Sequence, residues 1–81
     1  IIRAAYNRQD VIQAYIFKTF HRKAVLRVRN TTETTVEFIY EISSKLLSKV
    51  EHENTGITNG IYALGGVEYV NIVMQNDEVS N

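Results

Sequence analysis

The chain has 81 residues, which is enough for one small domain and too few for two hydrophobic cores. Nine basic and nine acidic residues balance, so the chain lacks the positive field of a general binder of nucleic acid or anionic membranes. It contains no cysteine, which excludes disulfides and thiolate metal sites. It begins with Ile1 in a strand-like run and has no signal peptide, so we expect a segment of a longer polypeptide.

The first third of the sequence predicts a strand followed by a helix. The short apolar run Ile1–Tyr6 is typical of a strand, and the polar turn Asn7–Asp10 follows it. Asn7 is a good helix N-cap, and Asp10 would lie in the first helical turn, where the helix dipole favours a negative charge. The helix should end at His21–Lys23, where cations suit the carbonyl end. Its apolar residues recur at spacings of three and four: Val11, Ile12, Tyr15, Ile16 and Phe20.

The middle of the sequence predicts an antiparallel hairpin. Residues 24–35 change to a period of two and end in the polar turn 30–35. In residues 36–42, one face carries the buried set Val36, Phe38, Tyr40 and Ile42. Arg27 and Arg29 on the first strand are expected to pair across with Glu37 and Glu41 on the second.

The last part of the sequence predicts a helix and a closing strand. In residues 43–53, Leu46, Leu47 and Val50 are compatible with the start of a helix and equally with a strand that continues into a loop, and loop or irregular structure is the favoured interpretation. A helix is expected over residues 54–64, capped by Asn54 or Thr55. The buried stripe of this helix is Ile57, Ile61 and Leu64. Gly65 and Gly66 end it, because glycine adopts the left-handed conformation without strain. Residues 67–74 alternate as a strand, with Val67 and Tyr69 on one face, and residues 75–81 form a polar tail.

The predicted order is β-α-β-β-α-β. This order favours the α+β ferredoxin-like split βαβ arrangement, a two-layer sandwich with a four-stranded antiparallel sheet and two helices on one face. The single domain should span residues 1–76, and residues 77–81 should be a frayed C-terminal tail.

The sequence contains no catalytic or metal-binding signature, and we expect no enzyme, no metal and no cofactor. His21 and His52 lack a partner at ligand spacing, and Glu51-His52-Glu53 is better interpreted as a solvated loop. Gly65-Gly66 follows a helix, whereas a phosphate loop precedes one. Serine nucleophiles need a base partner, and none is placed near the serines.

Two aromatic residues on one strand leave a second interpretation open. RNA-recognition domains have the same element order and stack bases on aromatics of a central strand, as Phe38 and Tyr40 would allow. Glu37 and Glu41 flank these residues, and the same aromatics serve equally as a core that faces the helices. The core interpretation is favoured, and we expect no nucleic-acid partner.

A resemblance adds to this interpretation. The stretch from Gly65 to Val73, together with the strand Phe38–Ile42, resembles the cytoplasmic C-terminal domain of an uncharacterised family of bacterial multipass membrane proteins with an MgtC-like layout. It is similar, more generally, to ACT-like regulatory domains. That resemblance implies an ACT-like fold and a cytoplasmic location, tethered to the inner membrane through upstream segments. Asn7–Asp10 lacks the glycine that ACT ligand-binding domains carry there, so no ligand residue is transferred.

The expected function is therefore a non-catalytic regulatory or oligomerisation domain of a larger bacterial protein. It would act as a homo-oligomer or by contact with its parent protein, without inserting into the membrane. Tyr69, Val70 and Ile72 are the expected interface residues, because an edge strand that carries them offers free backbone groups. The alternative is a small-molecule sensor. Its ligand would lie at the start of the first helix, whose N–H groups favour anions, among Asn7, Arg8, Gln9 and Asp10.

Overall fold

The structure is a computed structural model that describes residues 1–53 and 56–73, with the side chains of residues 1–50 and 56–73. Short 3-10 turns at Tyr6–Arg8 and His21–Lys23 flank the first helix. The elements are, in chain order, β1 (Ile2–Ala5), α1 (Gln9–Phe20), β2 (Val25–Thr31), β3 (Thr35–Glu41), α2 (Ser44–Glu53), α3 (Ile57–Tyr62) and β4 (Val67–Val70).

The four strands form one antiparallel sheet in the order β2-β3-β1-β4. In the centre, Ile2 of β1 lies opposite Phe38 of β3 on one side and Val70 of β4 on the other. Strands β2 and β4 are therefore the two edges. The α+β class and the four-stranded antiparallel sheet with helices are as predicted, and they are compatible with a ferredoxin-like fold.

One hydrophobic cluster holds the helices against one face of the sheet. Burial of these side chains stabilises the fold by roughly 25 cal/mol for each Å² of apolar surface removed from water. The described part of the chain has no buried polar residue. The buried residues are Ile2, Ala4, Ile12, Ile16, Phe20, Val36, Phe38, Val50, Ile57 and Ile61. Phe38 is fully buried in this cluster, so the core interpretation of this aromatic is confirmed.

The prediction of a loop over residues 43–53 is wrong, because α2 occupies most of that segment. The hydroxyl of Ser43 accepts a hydrogen bond from the Leu46 amide at 3.1 Å, as an N-cap does. Val50 is buried in the core, and Leu46 and Leu47 pack against it, which gives α2 its apolar side. The sheet is thus covered by three helices instead of two.

The following helix, α3, is shorter than predicted. It spans Ile57–Tyr62, and the predicted caps Asn54 and Thr55 lie outside the described residues. Ile57 and Ile61 are buried as expected. The strand predicted over residues 67–74 ends at Val70, and residues 74–81, which include the predicted tail 77–81, also lie outside the described residues.

Two β-bulges overturn part of the predicted alternation. The β2–β3 register shifts between Leu26 and Val28, so Arg27 and Arg29 point to opposite faces of the sheet. Arg27 pairs with Glu41 as predicted, at 2.6 Å. The predicted cross-strand ion pair of Arg29 is wrong, because its guanidinium reaches the helix side and donates to Gln9 Oε1 at 3.1 Å.

The second bulge lies in β4, where Val67 faces Ala4 and Tyr69 faces Arg3. Glu68 is the additional residue between them. Val67 and Tyr69 therefore lie on opposite faces, and their predicted common face is wrong. This shift turns Val67 towards the core, where it packs against the buried cluster, and turns Tyr69 away from the helices.

The N-terminal cap of α1 also differs from the prediction. Asn7 lies in the preceding 3-10 turn, and Arg8 occupies the cap position without a side-chain cap hydrogen bond. The 3-10 turn delays the start of the helix by one residue, so the predicted cap role of Asn7 is wrong. Asp10 does lie in the first turn of the helix, as expected.

Candidate functional site

The face of the sheet opposite the helices is uncovered, and we name it the open face. Its apolar side chains are Val25 and Val28 of β2, which are 43% and 37% exposed, with half-buried Ile39 beside them on β3. The register places Val28 directly opposite Ile39. Its polar side chains are Arg3, Arg27, Asn30, Glu37, Glu41, Glu68 and Tyr69.

The polar side chains of the open face partner one another. Tyr69 Oη donates a hydrogen bond of 2.7 Å to Glu37 Oε2, which spans the central strand β1. This bond raises the pKa of Tyr69 above its usual value. Desolvation and the Glu37 charge add to the rise, and Arg3 opposes it in part. The bond links β4 to β3 across β1.

Arg3 and Glu68 form the second polar contact at this end of the open face. Arg3 Nε lies 3.2 Å from Glu68 Oε1, which is within ion-pair range. The Nε atom is nevertheless buried without a hydrogen bond, so the contact is an attraction between charges with poor hydrogen-bond geometry. Both side chains are about half exposed, and such pairs contribute little to stability.

The β4 edge carries the three expected interface residues, and they differ in position. Tyr69 lies on the open face, and Val70 is half-buried and packs against the core. Ile72 lies beyond the end of the strand and is 42% exposed. The outward Val70 amide donates to Tyr62 Oη at 3.0 Å, so a side chain of α3 occupies part of this edge.

The β2 edge, in contrast, is exposed along its whole length. All seven residues of β2 are exposed, and β2 is the outermost strand of the sheet. An edge strand presents a row of N–H and C=O groups without partners. Among the residues that the structure describes, only β3 pairs with β2.

A groove of about 250 Å³ lies between the end of α1 and the helix side of β2. Phe17 forms one wall and is 55% exposed, and Leu26 forms the other and is 37% exposed. Tyr40 lines the base, and burial raises the pKa of its phenol above the usual value. The remaining lining residues are Gln13, Ile16, His21 and Ala24. The groove is predominantly apolar.

The predicted ligand turn has its two longest side chains engaged inside the domain. Arg8 donates to the carbonyl oxygens of Leu64 and Gly65, at 2.5 and 3.1 Å, which lie in the turn that follows α3. Gln9 accepts the hydrogen bond from Arg29. Asn7 and Asp10 are exposed. Arg8 thus joins the β1–α1 turn to the α3–β4 turn.

A second depression, of about 330 Å³, lies beside the same turn. Ala5, Tyr6 and Asn7 line one side, and Glu33 and Thr34 line the other. Of the four predicted ligand residues, only Asn7 reaches it. The structure therefore does not bring Asn7, Arg8, Gln9 and Asp10 together around one cavity.

The described residues contain neither a cluster of metal-ligand side chains nor a helix that could span a membrane. No group of three or more histidine and carboxylate side chains is placed there to hold a metal ion. The side chains of Glu51, His52 and Glu53 lie outside this set. Within the same described part, no helix has the length and apolar character needed to cross a bilayer.

Comparison with known proteins adds no relative. No protein-family model, no curated protein and no solved structure matches the chain.

Sequence reasoning missed two of the surfaces described above. The groove at Phe17 and Leu26 is formed by residues that are nine positions apart and on different elements. The signal for it was Phe17, an aromatic residue next to the buried stripe of α1 and not part of it. The open β2 edge carried a clearer signal, since two arginines in a strand are typical of an edge that avoids self-pairing.

Proposed function

We propose that this chain is a non-catalytic accessory domain that acts by association, with an ACT-like version of the ferredoxin-like fold. It would regulate or oligomerise a larger bacterial protein, anchored in the inner membrane by segments outside this chain. The strand order β2-β3-β1-β4, with helices on one side, supports the ACT-like assignment.

The observation that carries the association proposal is the uncovered apolar surface of the open face. Val25 and Val28 are exposed beside half-buried Ile39, and Tyr69 adds an aromatic side chain at the other end. A soluble domain that exposes grouped apolar side chains of a sheet gains free energy by covering them.

The charges of the open face favour a second copy as the covering partner. Arg27 is paired with Glu41, Arg3 lies next to Glu68, and Glu37 is bound by Tyr69. Because the charged groups are largely matched within the face, two copies can approach without strong repulsion between like charges. Tyr69 is then an interface residue, as the sequence predicts, and Val70 supports it from the core side.

Sedimentation equilibrium over a concentration series tests this proposal. We expect the wild-type chain to associate, and Val28→Glu to shift it to monomer because the variant places a charge in the apolar patch. Ala14→Glu is the matched control. It adds the same charge at an exposed position of α1, on the other side of the sheet, and should leave association unchanged. A strict monomer at high concentration would contradict the proposal.

A further inference from the structure

We propose that the β2 edge binds an acidic, extended segment of a partner protein as a fifth strand of the sheet. This surface is separate from the open face. It consists of the outer backbone of β2 and of the side chains that β2 turns towards the helices, which are Leu26, Arg29 and Thr31.

The backbone of β2 supplies the hydrogen-bonding groups that an added strand needs. The strand has seven residues, all of them exposed, and it is the outermost strand of the sheet. Addition of a strand to such an edge uses main-chain hydrogen bonds for affinity and side-chain pockets for specificity. The β4 edge is poorer in this respect, since it has four residues and Tyr62 Oη already holds the Val70 amide.

The charge of the β2 edge identifies the kind of partner. Arg27 and Arg29 lie on β2, Arg22 and Lys23 lie in the turn before it, and β2 has no acidic residue. Among the described residues, Arg3 and Arg27 are the cations that form ion pairs, so Arg22, Lys23 and Arg29 lack an anionic partner. Complementarity therefore requires negative charge on the added strand.

The same charges argue against a second copy at this edge. Antiparallel pairing of β2 with β2 of another copy would place Arg27 and Arg29 close to the arginines of that copy. Like charges opposite each other across two strands are destabilising. The arginines thus discourage self-pairing and favour an acidic strand from a different segment.

The groove supplies a second element of recognition. It lies on the helix side of β2 between Phe17 and Leu26, and its 250 Å³ can receive one apolar side chain of the added strand. Leu26 and Arg29 lie opposite Tyr40 and Phe38, which are two residues apart on β3. An added strand should therefore carry an apolar residue and an acidic residue two positions apart.

A synthetic peptide tests this inference directly. The probe is a blocked seven-residue peptide with a central leucine, glutamate two positions to either side, and threonine or valine elsewhere. One glutamate then faces Arg29 in either strand direction. In an NMR titration, we expect the amide signals of β2 and the side-chain signals of Phe17 and Leu26 to shift. The same peptide with lysine in place of glutamate should not bind.

Two arginine variants form a matched pair for this titration. Arg29→Gln and Arg27→Gln each remove one cation from the same strand, but only Arg29 lies on the groove side. We expect Arg29→Gln to weaken binding of the acidic peptide by about tenfold and Arg27→Gln to change it much less. Both positions are exposed, so neither variant should disturb folding.

Several results would overturn the inference. These are equal binding of the acidic and lysine peptides, no binding of either, equal weakening by the two arginine variants, or shifts confined to the open face. Shifts of the β2 amide signals when the protein concentration is raised without peptide would assign the edge to a second copy and would also overturn the inference. The titration is run where sedimentation shows a monomer, so failure of open-face association leaves this test intact.

Discussion

The β4 edge of the sheet is short and closed by side chains, whereas the β2 edge is long and open. On β4, Tyr62 Oη binds the Val70 amide, and the strand is followed directly by a backbone pair between Asn71 and Ile1. On β2, seven residues are exposed and two of them are arginines. Both edges disfavour uncontrolled strand pairing. At β4 a side-chain hydroxyl group binds a backbone amide, and at β2 the arginines repel strands of like charge.

The difference has a consequence for recognition. A hydroxyl group that occupies an edge amide blocks every incoming strand, whatever its sequence. The charge of an edge repels only strands that carry charge of the same sign, and it leaves the backbone groups available to strands of the opposite charge. The Tyr62 hydroxyl therefore hinders any strand that would pair at Val70 of β4, whereas the charge of the β2 edge selects among strands. This contrast explains why we place partner binding at β2.

The largest expected effect concerns the turn that leads into the β4 edge. Gly66 has φ of +74°, and a Cβ there would lie 2.8 Å from Arg8 Cγ. Gly66→Ala adds backbone strain and displaces Arg8, which binds the carbonyl oxygens of the α3–β4 turn, so we expect a loss of about 2–3 kcal/mol in the free energy of unfolding. Gly65→Ala is the control.

Gly65 shares the positive φ, at +86°, but a Cβ there meets no atom within 4 Å. We expect this variant to lose only about 1 kcal/mol, from backbone strain alone. Urea denaturation followed by circular dichroism measures both values. Equal losses would show that Arg8 contributes nothing to the stability of the turn.

A double variant tests whether the arginines of β2 prevent pairing of this edge between copies. Removal of both arginines of β2, by Arg27→Thr and Arg29→Thr, leaves the edge without its repulsion. We expect pairing of β2 between copies, seen as a higher mass in sedimentation and as new hydrogen-exchange protection in β2. High salt should move the wild-type chain partly in the same direction, because it screens the exposed charges.

The control for this double variant is Lys45→Thr with Lys49→Thr, which removes two exposed cations from α2. It changes the net charge equally and leaves the β2 edge intact, so β2 should gain no protection. If both double variants behave alike, net charge and not the arginines of the edge controls association.

The next effect tests the closure of β4 by one hydroxyl group. Tyr62→Phe removes the acceptor of the Val70 amide hydrogen bond. We therefore expect a loss of about 1 kcal/mol or less in the free energy of unfolding, and faster hydrogen exchange at the Val70 amide. Tyr6→Phe is the matched control, because Tyr6 is 47% exposed and its hydroxyl forms no hydrogen bond with the described residues. Unchanged exchange at Val70 would mean that Tyr62 does not close the edge.

The sequence predicted the pattern of strands because that pattern depends on local periodicity. Val36 and Phe38 alternate with Thr35 and Glu37, and they are buried as expected. The positions of the two β-bulges could not be predicted from this alternation. An additional residue at Arg27 or Glu68 changes which face the next side chain occupies, yet leaves no local signature in the sequence.

The helix α2 was missed for a different reason. Its apolar residues Leu46, Leu47 and Val50 have helical spacing, but the run is short and strongly polar, and its N-cap Ser43 follows the strand with only Ile42 between. A serine with leucine three positions later is a weaker start signal than a serine with glutamate there. The local helix propensity of this segment is too weak to determine its structure, and packing of Val50 into the core stabilises the helix.

The smallest expected effect is a pH dependence at the open face. Tyr69 keeps its proton more tightly in the folded state, because its hydroxyl donates to Glu37 and its pKa is raised. A raised pKa of an acid stabilises the fold below the unfolded pKa of about 10, and this contribution disappears as pH rises through the folded pKa. The free energy of unfolding of the wild-type chain should therefore fall above about pH 10.

Tyr69→Phe should remove part of this decline while leaving the rest, since burial also raises the pKa of Tyr40. Urea denaturation of both chains at neutral pH and at about pH 10.5 gives the comparison. Tyr6→Phe again serves as the control, and it should decline as the wild type does. An identical decline in the Tyr69 variant and the wild type would show that the Tyr69–Glu37 bond does not form in solution. The open face would then present a mobile tyrosine, and the case for Tyr69 as an interface anchor would weaken.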